Sequence, residues 1–265
     1  MHALARRVAL ACAALGVPMV VGACRARDAA PKATPPSSAT AVGPSSAAAA
    51  SPAVSAASAH AIPTSALARL WSFDADDAGS APTGFSFGRT GGGREGTWLV
   101  RPDPGAPSGP NVLGQTSADS TDDRFPLAFT NDIFPADVEV GVKCKLVSGN
   151  VDRACGLVLR LKGASDYYLT RANALESNVR LYFVKDGRRR QIGSWSGAVT
   201  SAVWHDYRFV ARGDHFEVHW DGVKVLDEHD ATFTDGGHVG VWTKADSVTY
   251  FDDLRARVAP AGDAP

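Results

Sequence analysis

The 265-residue sequence has no apolar run long enough to span a membrane, almost no net charge and only four cysteines. Its longest apolar stretch, residues 8–21, is about 14 residues and contains Gly16 and Pro18, whereas a spanning helix needs about 20. The 27 basic residues are balanced by 28 acidic ones and are scattered. Because nucleic-acid binding needs a broad basic face, we predict no nucleic-acid partner.

The sequence also lacks two short motifs that identify common enzyme classes. It contains no His-Glu-x-x-His pattern of zinc peptidases. Residues 88–96 are rich in glycine, but the Lys-Ser/Thr pair of a phosphate-binding loop is missing and no helical pattern follows. This segment is therefore interpreted as a flexible strand connection, and enzymatic activity stays uncertain.

A targeting leader is present instead. Arg6 and Arg7 precede the apolar stretch, which ends in small residues before Cys24. This order predicts a bacterial lipoprotein signal peptide over residues 1–23, with acylation of Cys24 and a lipid anchor on the extracytoplasmic side, in the periplasm or at the cell surface. The alternative is an ordinary signal peptide whose cleavage site happens to precede a cysteine.

Three further regions follow the leader. Residues 24–65 consist mostly of Ala, Ser, Pro and Thr and have almost no large apolar side chain, so they are predicted to form a disordered tether. Residues 66–258 are long enough to bury a core as one domain. Residues 259–265 are predicted to be a disordered tail.

The apolar pattern of the domain has a period of two. Apolar and polar residues alternate in residues 138–146, 155–161, 179–183, 216–220 and 239–242, with turn residues between these stretches. Short strands, short connections and no helical period predict an all-β antiparallel sandwich or jelly roll, with an up-and-down barrel as the alternative. Arg188, Arg189 and Arg190 follow the turn residues Asp186 and Gly187 and are interpreted as a solvated turn.

The remaining two cysteines fit this register. Cys144 and Cys155 lie equidistant from the turn at Gly149 and Asn150, and both fall on the apolar parity of their strands. A tight hairpin would place them opposite each other at a spacing that a disulfide accepts. We predict this bond, the alternative being two free buried thiols.

Several blocks in the domain resemble the 3-keto-disaccharide hydrolase domain family, which is related to the concanavalin A-like lectins and glucanases. The resemblance implies a concanavalin A-like jelly roll with a concave sheet face and a role connected with carbohydrate. The resemblance does not assign an established pair of catalytic residues to this sequence. The blocks are residues 167–176, residues 178–182, Trp204-His205, Asp221-Gly222, residues 240–247 and residues 251–254.

Two-carboxylate glycosidase chemistry finds little support in the sequence. The Glu-x-Asp-x-x-Glu motif of the related family 16 glucanases is absent, and hydrolysis needs two acids that face each other. The clearest outward-facing strand acids are Glu139 and Glu217. Both are interpreted as solvated strand residues.

A saccharide-binding face is better supported. Sugars pack on aromatic rings and accept hydrogen bonds from Arg, Asn and Lys, and strand alternation is expected to expose such side chains on one face. Each of them could instead be a packing residue of the sheet face. The predicted residues are Arg160, Arg171, Asn173, Asn178, Arg180, Tyr182, Trp242 and Lys244, and the polar loop 115–124 is expected to border them.

A structural calcium ion is the one cofactor considered. Aspartates near both ends of the domain could meet across a sheet edge, because clustered carboxylates suit a hard cation. Asp74 and Asp252 are the candidate ligands, and turn capping is the alternative role. The neighbouring acids are Asp76, Asp77 and Asp253.

The sequence as a whole predicts a membrane-anchored lipoprotein whose domain binds a saccharide or glycoconjugate. A glycoside hydrolase acting on 3-keto-disaccharides or related glycosides is the alternative that the resemblance implies. A structural or protein-interaction domain without catalysis is the third.

Overall fold

The computed structural model describes residues 68–260, and this part of the chain consists of fifteen β-strands joined by turns and loops. It contains no helix that is long and apolar enough to cross a membrane. The predicted leader, Cys24, the tether and residues 261–265 lie outside the described residues. The strands are β1 Arg69–Trp71, β2 Phe85–Gly91, β3 Trp98–Pro102, β4 Asn111–Gln115, β5 Arg124–Thr130, β6 Val138–Ser148, β7 Ala154–Gly163, β8 Asp166–Asn173, β9 Asn178–Lys185, β10 Arg188–Ser196, β11 Trp204–Arg212, β12 His215–Trp220, β13 Val223–His229, β14 His238–Trp242 and β15 Val248–Val258.

The strands form two antiparallel sheets. The eight-stranded sheet has the order β13-β12-β11-β6-β15-β4-β3, with β1 paired to β15, and the seven-stranded sheet has the order β10-β9-β8-β7-β14-β5-β2. The predicted all-β sandwich is confirmed, and the barrel alternative is wrong because each sheet keeps two edges. The strand alternation explains the core. Val140 and Val142 of β6 and Leu157 and Leu159 of β7 lie on the inner faces and are fully buried.

Cys144 and Cys155 are bonded, but the hairpin expected between them does not exist. Cys144 in β6 pairs with strands of the eight-stranded sheet, whereas Cys155 pairs with Ala172 in the seven-stranded sheet. Residues 149–153 carry the chain from one sheet to the other. Asp246 shapes this turn by accepting hydrogen bonds from the backbone N–H groups of Asn150 (2.7 Å) and Asp152 (2.9 Å). The disulfide therefore joins the two sheets through the core.

The outer face of the seven-stranded sheet carries a second apolar layer. Leu127, Val158, Leu169 and Trp242 are fully buried there, on the side of the sheet away from the main core. A sheet face exposed to water usually carries polar side chains at these positions. This face is therefore covered by side chains and loops of the same domain.

Candidate functional site

Strand register brings most of the predicted saccharide-binding residues together on that outer face. Arg180 in β9 lies opposite Arg171 in β8, and Arg171 lies opposite Gly156 in β7, which in turn faces Trp242 in β14. Residues directly opposite each other on neighbouring strands share a face of the sheet. In the adjoining rows, Asn178 faces Asn173 and Tyr182 faces Leu169.

Gly156 gives this row its shape. A Cβ atom at this position would lie 2.9 Å from the backbone oxygen of Thr170 and 3.1 Å from Cε3 of Trp242. The indole ring therefore lies directly over the backbone of β7. Any larger residue at position 156 would displace the ring or the strand.

Glu176, in the turn between β8 and β9, lies at the centre of a charged network. Its carboxylate accepts hydrogen bonds from the guanidinium of Arg171 (3.0 and 3.2 Å) and from the Asn178 side chain (3.0 Å), and it forms an ion pair with Arg180 (3.2 Å). The hydrogen bonds from Arg171, with those from Asn178 and the charge of Arg180, lower the pKa of Glu176 to about 2. This carboxylate is an anion at any physiological pH.

Asp152 is a second carboxylate in the same network, and it is almost completely buried. Burial raises its pKa, although the nearby charges of Lys244 (3.0 Å) and Arg171 (3.8 Å) act to lower it. The Asn173 side chain donates to Asp152 (2.9 Å) and to Glu176 (3.2 Å). The two carboxylate oxygens that share this amide nitrogen are therefore no more than about 6 Å apart.

Lys244 connects the network to the loop that precedes β5. Its ammonium group contacts buried Asp152 and also exposed Asp122 (2.5 Å). The loop therefore borders the site, as expected from its polar composition. Arg124 at its end has a structural role, because its guanidinium donates to the backbone oxygens of Arg94 and Ala245 (both 2.6 Å) and is fully buried.

The aromatic part of the site differs from the expectation. Trp242 was expected to expose its ring, but it is fully buried and stacks on Phe125 at 5.5 Å between ring centroids. The Arg189 guanidinium lies over Phe125 (4.8 Å) and Tyr182 (4.5 Å), so a cation covers the aromatic layer. The Nη1 atom of Arg189 is buried without a hydrogen-bond partner.

Arg189, Asp152 and Glu176 are the residues of this site that the sequence prediction missed. Arg189 was interpreted as part of a solvated turn, yet it pairs with Val184 in β9 and so shares the face of Tyr182. Alternation along β10 was the signal that could have identified it. Asp152 and Glu176 lie in turns, where sequence periodicity gives no orientation.

Arg160 is not part of this site. A bulge interrupts the pairing of β7 with both of its neighbours near Arg160, which has a positive φ of 51°. The bulge breaks the alternation on which the prediction relied and turns the side chain inward. The buried guanidinium donates to the backbone oxygens of Ala136 (2.9 Å), Phe233 (2.7 Å) and Gly213 (2.7 Å), which makes it a structural residue.

The two predicted calcium ligands, Asp74 and Asp252, are each held by hydrogen bonds from backbone N–H groups. Asp252 is fully buried and accepts hydrogen bonds from the backbone N–H groups of Ser108 (3.0 Å) and Asp253 (2.7 Å), while Asp74 accepts from Asn111 N–H (2.9 Å). These contacts correspond to the turn-capping alternative. Among the described residues, one group has the spacing of a metal site, and it lies on β12 and β13. Its members are His215, Glu217 and Asp227.

Cations already occupy that group. Lys224 approaches Asp227 (2.5 Å) and Glu217 (3.6 Å), and Arg212 pairs with Glu217 (3.3 Å). Glu139, the other outward acid considered from sequence, is almost fully buried between arginines on the same sheet. Burial acts to raise the pKa of Glu217, but the hydrogen bonds from Arg212 and His219 lower it overall, which is the opposite of the shift that a catalytic acid needs.

No protein-family model matches the chain, and no curated protein matches it in sequence. Among solved structures, it is similar to the carbohydrate-binding module CBM66 from Bacillus subtilis. That similarity has a TM-score of 0.54 and 20% identity, and it covers 66% of this chain and 96% of the module.

Two more distant neighbours are a protein of unknown function with a galectin-like fold from Bacillus subtilis and the exoplasmic/lumenal domain of VIP36 in a Ca2+/Man3GlcNAc-bound form. The first has a TM-score of 0.48 and 10% identity over 66% of this chain and 89% of that one. The second has a TM-score of 0.49 and 11% identity over 69% and 86%. The described domain thus has the concanavalin A-like jelly-roll fold predicted from its sequence.

Proposed function

We propose that this domain binds a saccharide or glycoconjugate on the outer face of the seven-stranded sheet, which would be the concave sheet face that the family resemblance implies. The observation that carries the proposal is the network around Glu176. Its carboxylate and the neighbouring Arg180 side chain are 39% and 34% exposed, while the residues that hold them are buried. A rigid pair of one acceptor and one donor is suited to adjacent sugar hydroxyls.

Unused hydrogen-bonding capacity in the network supports the same conclusion. The Nε atoms of Arg171 and Arg180 and the Nη1 atom of Arg189 are buried, and none of the three has a hydrogen-bond partner. Buried donors without partners destabilise a protein unless a ligand or water satisfies them. A polyhydroxylated ligand would supply acceptors at the surface of this network, where the Arg180 side chain is 34% exposed.

The similarity to CBM66 is consistent with this proposal. That structure is described as a carbohydrate-binding module, and its match spans nearly its whole length. With 20% identity, the match supports a common fold.

Glycoside hydrolysis, including that of 3-keto-disaccharides, is the second candidate, and one observation favours it. Asp152 and Glu176 lie within about 6 Å at the atoms joined by Asn173. Burial raises the pKa of Asp152, whereas the pKa of Glu176 is lowered to about 2. Two close carboxyl groups with diverging pKa values are the arrangement that separates an acid from a base in glycosidases.

Titration calorimetry on glycan-array hits would test binding. Arg180→Ala and Glu176→Gln are expected to weaken the affinity by about tenfold or more, because each removes a charged hydrogen-bonding group. Arg188→Ala is the matched control, since this exposed arginine lies on the neighbouring strand β10 but opposite Lys185, whereas Arg180 lies opposite Ser194. Equal affinities for all three variants, or no response of the folded protein to any saccharide, would contradict the proposal.

A turnover assay distinguishes saccharide binding from glycoside hydrolysis. Hydrolysis of a 3-keto-glucoside that is lost in Asp152→Asn, with saccharide binding retained, would select the enzyme. Binding without turnover would select the module.

We further propose that the full chain is lipid-anchored through Cys24 on the extracytoplasmic side of a bacterial membrane. The support is the leader sequence, with its basic residues, short apolar stretch and small residues before the cysteine. Cys24→Ser should abolish fatty-acid labelling and release the protein from the membrane fraction. A variant that is still acylated would refute this anchor.

A further inference from the structure

A groove of about 440 Å³ lies on the outer face of the eight-stranded sheet, the opposite side of the sandwich from the site described above. Its lining is strongly basic, with four arginines, one glutamate and two alanines. The residues are Arg69, Arg208, Arg255, Arg257, Glu139, Ala68 and Ala256. Its volume is in the range of small-molecule sites.

Strand register creates the basic floor of this groove. Arg208 in β11 lies opposite Gly141 in β6, and Gly141 lies opposite Arg255 in β15. A Cβ atom at Gly141 would be 2.8 Å from Cζ of Arg255, so the guanidinium lies directly on the backbone of β6. The glycine therefore makes room for a cation to lie flat between two strands.

Three guanidinium groups converge over β6 and are held in place by acids. Arg257 and Arg208 contact the Glu139 carboxylate at 2.9 and 3.4 Å, and Arg255 contacts Asp206 at 3.3 Å. The arginine side chains nevertheless remain 30–56% exposed. Each guanidinium has five N–H donors, so most of them are available to a ligand from fixed positions.

The excess of positive charge in the groove favours binding of an oxyanion. The four arginines of the lining contact three acids, Glu139, Asp206 and Asp132, and so keep a net positive charge, and guanidinium groups bind carboxylates and sulfates through paired hydrogen bonds. Glu139 lies among them as an acceptor and would repel a densely charged phosphate. It would instead accept a hydrogen bond from a hydroxyl group next to the acid, and exposed Ala68 adds a small apolar contact.

From this geometry we infer a second binding site, independent of the proposed function of the other sheet, for the carboxylate or sulfate groups of an acidic saccharide. Arg208 and Arg255 would bind the acid over Gly141. Glu139 would accept from a neighbouring hydroxyl group, and Arg257 would keep that carboxylate oriented.

The test is binding of the full chain to dextran sulfate and polygalacturonate oligomers, with neutral dextran for comparison. Arg208→Gln and Arg255→Gln are each expected to weaken binding of an acidic oligomer by about tenfold or more, because each removes a charge-assisted contact. Arg190→Gln is the matched control, since it removes the same charge from an exposed position on the other sheet. Thermal melting checks that each variant is folded, and Arg257→Gln, at a more exposed position, replaces any variant that is not.

The outcomes separate the possible explanations. An equal loss in Arg190→Gln would reveal general charge attraction and overturn the site, as would unchanged binding in the groove variants. Binding to phosphatidylglycerol vesicles but to neither acidic saccharide would overturn the saccharide as the ligand. Glu176→Gln should leave acidic-saccharide binding in the groove unchanged, so failure of the proposed function on the other face would be recognised separately.

Discussion

Replacing Glu176 by glutamine tests the charged network of the candidate site most directly. The change keeps the size of the side chain but removes the charge that binds Arg171, which is only 2% exposed. The lowering of the Glu176 pKa from 4.5 to about 2 corresponds to roughly 3 kcal/mol of stabilisation of the folded state. Because this side chain is 39% exposed, solvent screening reduces the expected loss to about 1–2 kcal/mol.

The pH dependence of this effect has a definite sign. A carboxyl group whose pKa is lower in the folded state stabilises the protein above its unfolded pKa, here 4.5, and loses this contribution as the pH falls toward about 2. The difference between wild type and Glu176→Gln should therefore be full at pH 7 and smaller at pH 3. Urea denaturation at both pH values would measure it.

A matched control distinguishes the network from a general charge effect. Asp235→Asn removes one negative charge from an exposed loop and should change stability by less than about 0.5 kcal/mol. The reasoning is refuted if Glu176→Gln is as stable as wild type at pH 7, or if its deficit is the same at pH 3.

Three further changes test other parts of the structure. Replacing Cys144 and Cys155 by alanine removes a disulfide between residues eleven positions apart and should lower the free energy of unfolding by about 3 kcal/mol. Denaturant titration under oxidising conditions would measure this loss, and an unchanged midpoint would contradict it. Gly156→Ala should destabilise the protein by about 1–3 kcal/mol and shift tryptophan fluorescence, since its Cβ would meet a backbone oxygen at 2.9 Å, and a native spectrum would refute the close packing. Burial raises the pKa of Asp252 to about 6, so the folded state binds a proton more tightly than the unfolded state does. The free energy of unfolding should therefore increase by about 1 kcal/mol as the pH falls from 7 to 5. The same increase in Asp252→Asn would show that Asp252 is not the titrating group.

The strands of this domain were predictable because alternation survives wherever a strand is regular. Residues 138–146 alternate without a break and form most of β6, with Val140 and Val142 in the core. The same rule placed Arg180 and Tyr182 on the outer face of β9. Where a bulge interrupts the period, as at Arg160, the predicted direction was wrong.

Burial within the site was harder to predict, because it depends on contacts between distant segments. The Trp242 ring is covered by Phe125 from β5 and by Arg189 from β10. Neither contact follows from the local pattern around position 242. In the same way, the turn residues between Cys144 and Cys155 favour a hairpin, but turn residues alone do not show whether the chain stays in one sheet or crosses to the other.

The placement of the last two strands has a consequence for how the domain assembles. β14 lies between β7 and β5, and β15 lies between β6 and β4, so residues 238–258 supply an interior strand of each sheet. Until these residues are available, the strands on either side of β14 and β15 are not connected, β1 has no partner strand, and Lys244 cannot reach Asp152. Folding that depends on such distant contacts is slow, and we expect the domain and its site to form cooperatively once residues 238–258 have been synthesised, not strand by strand.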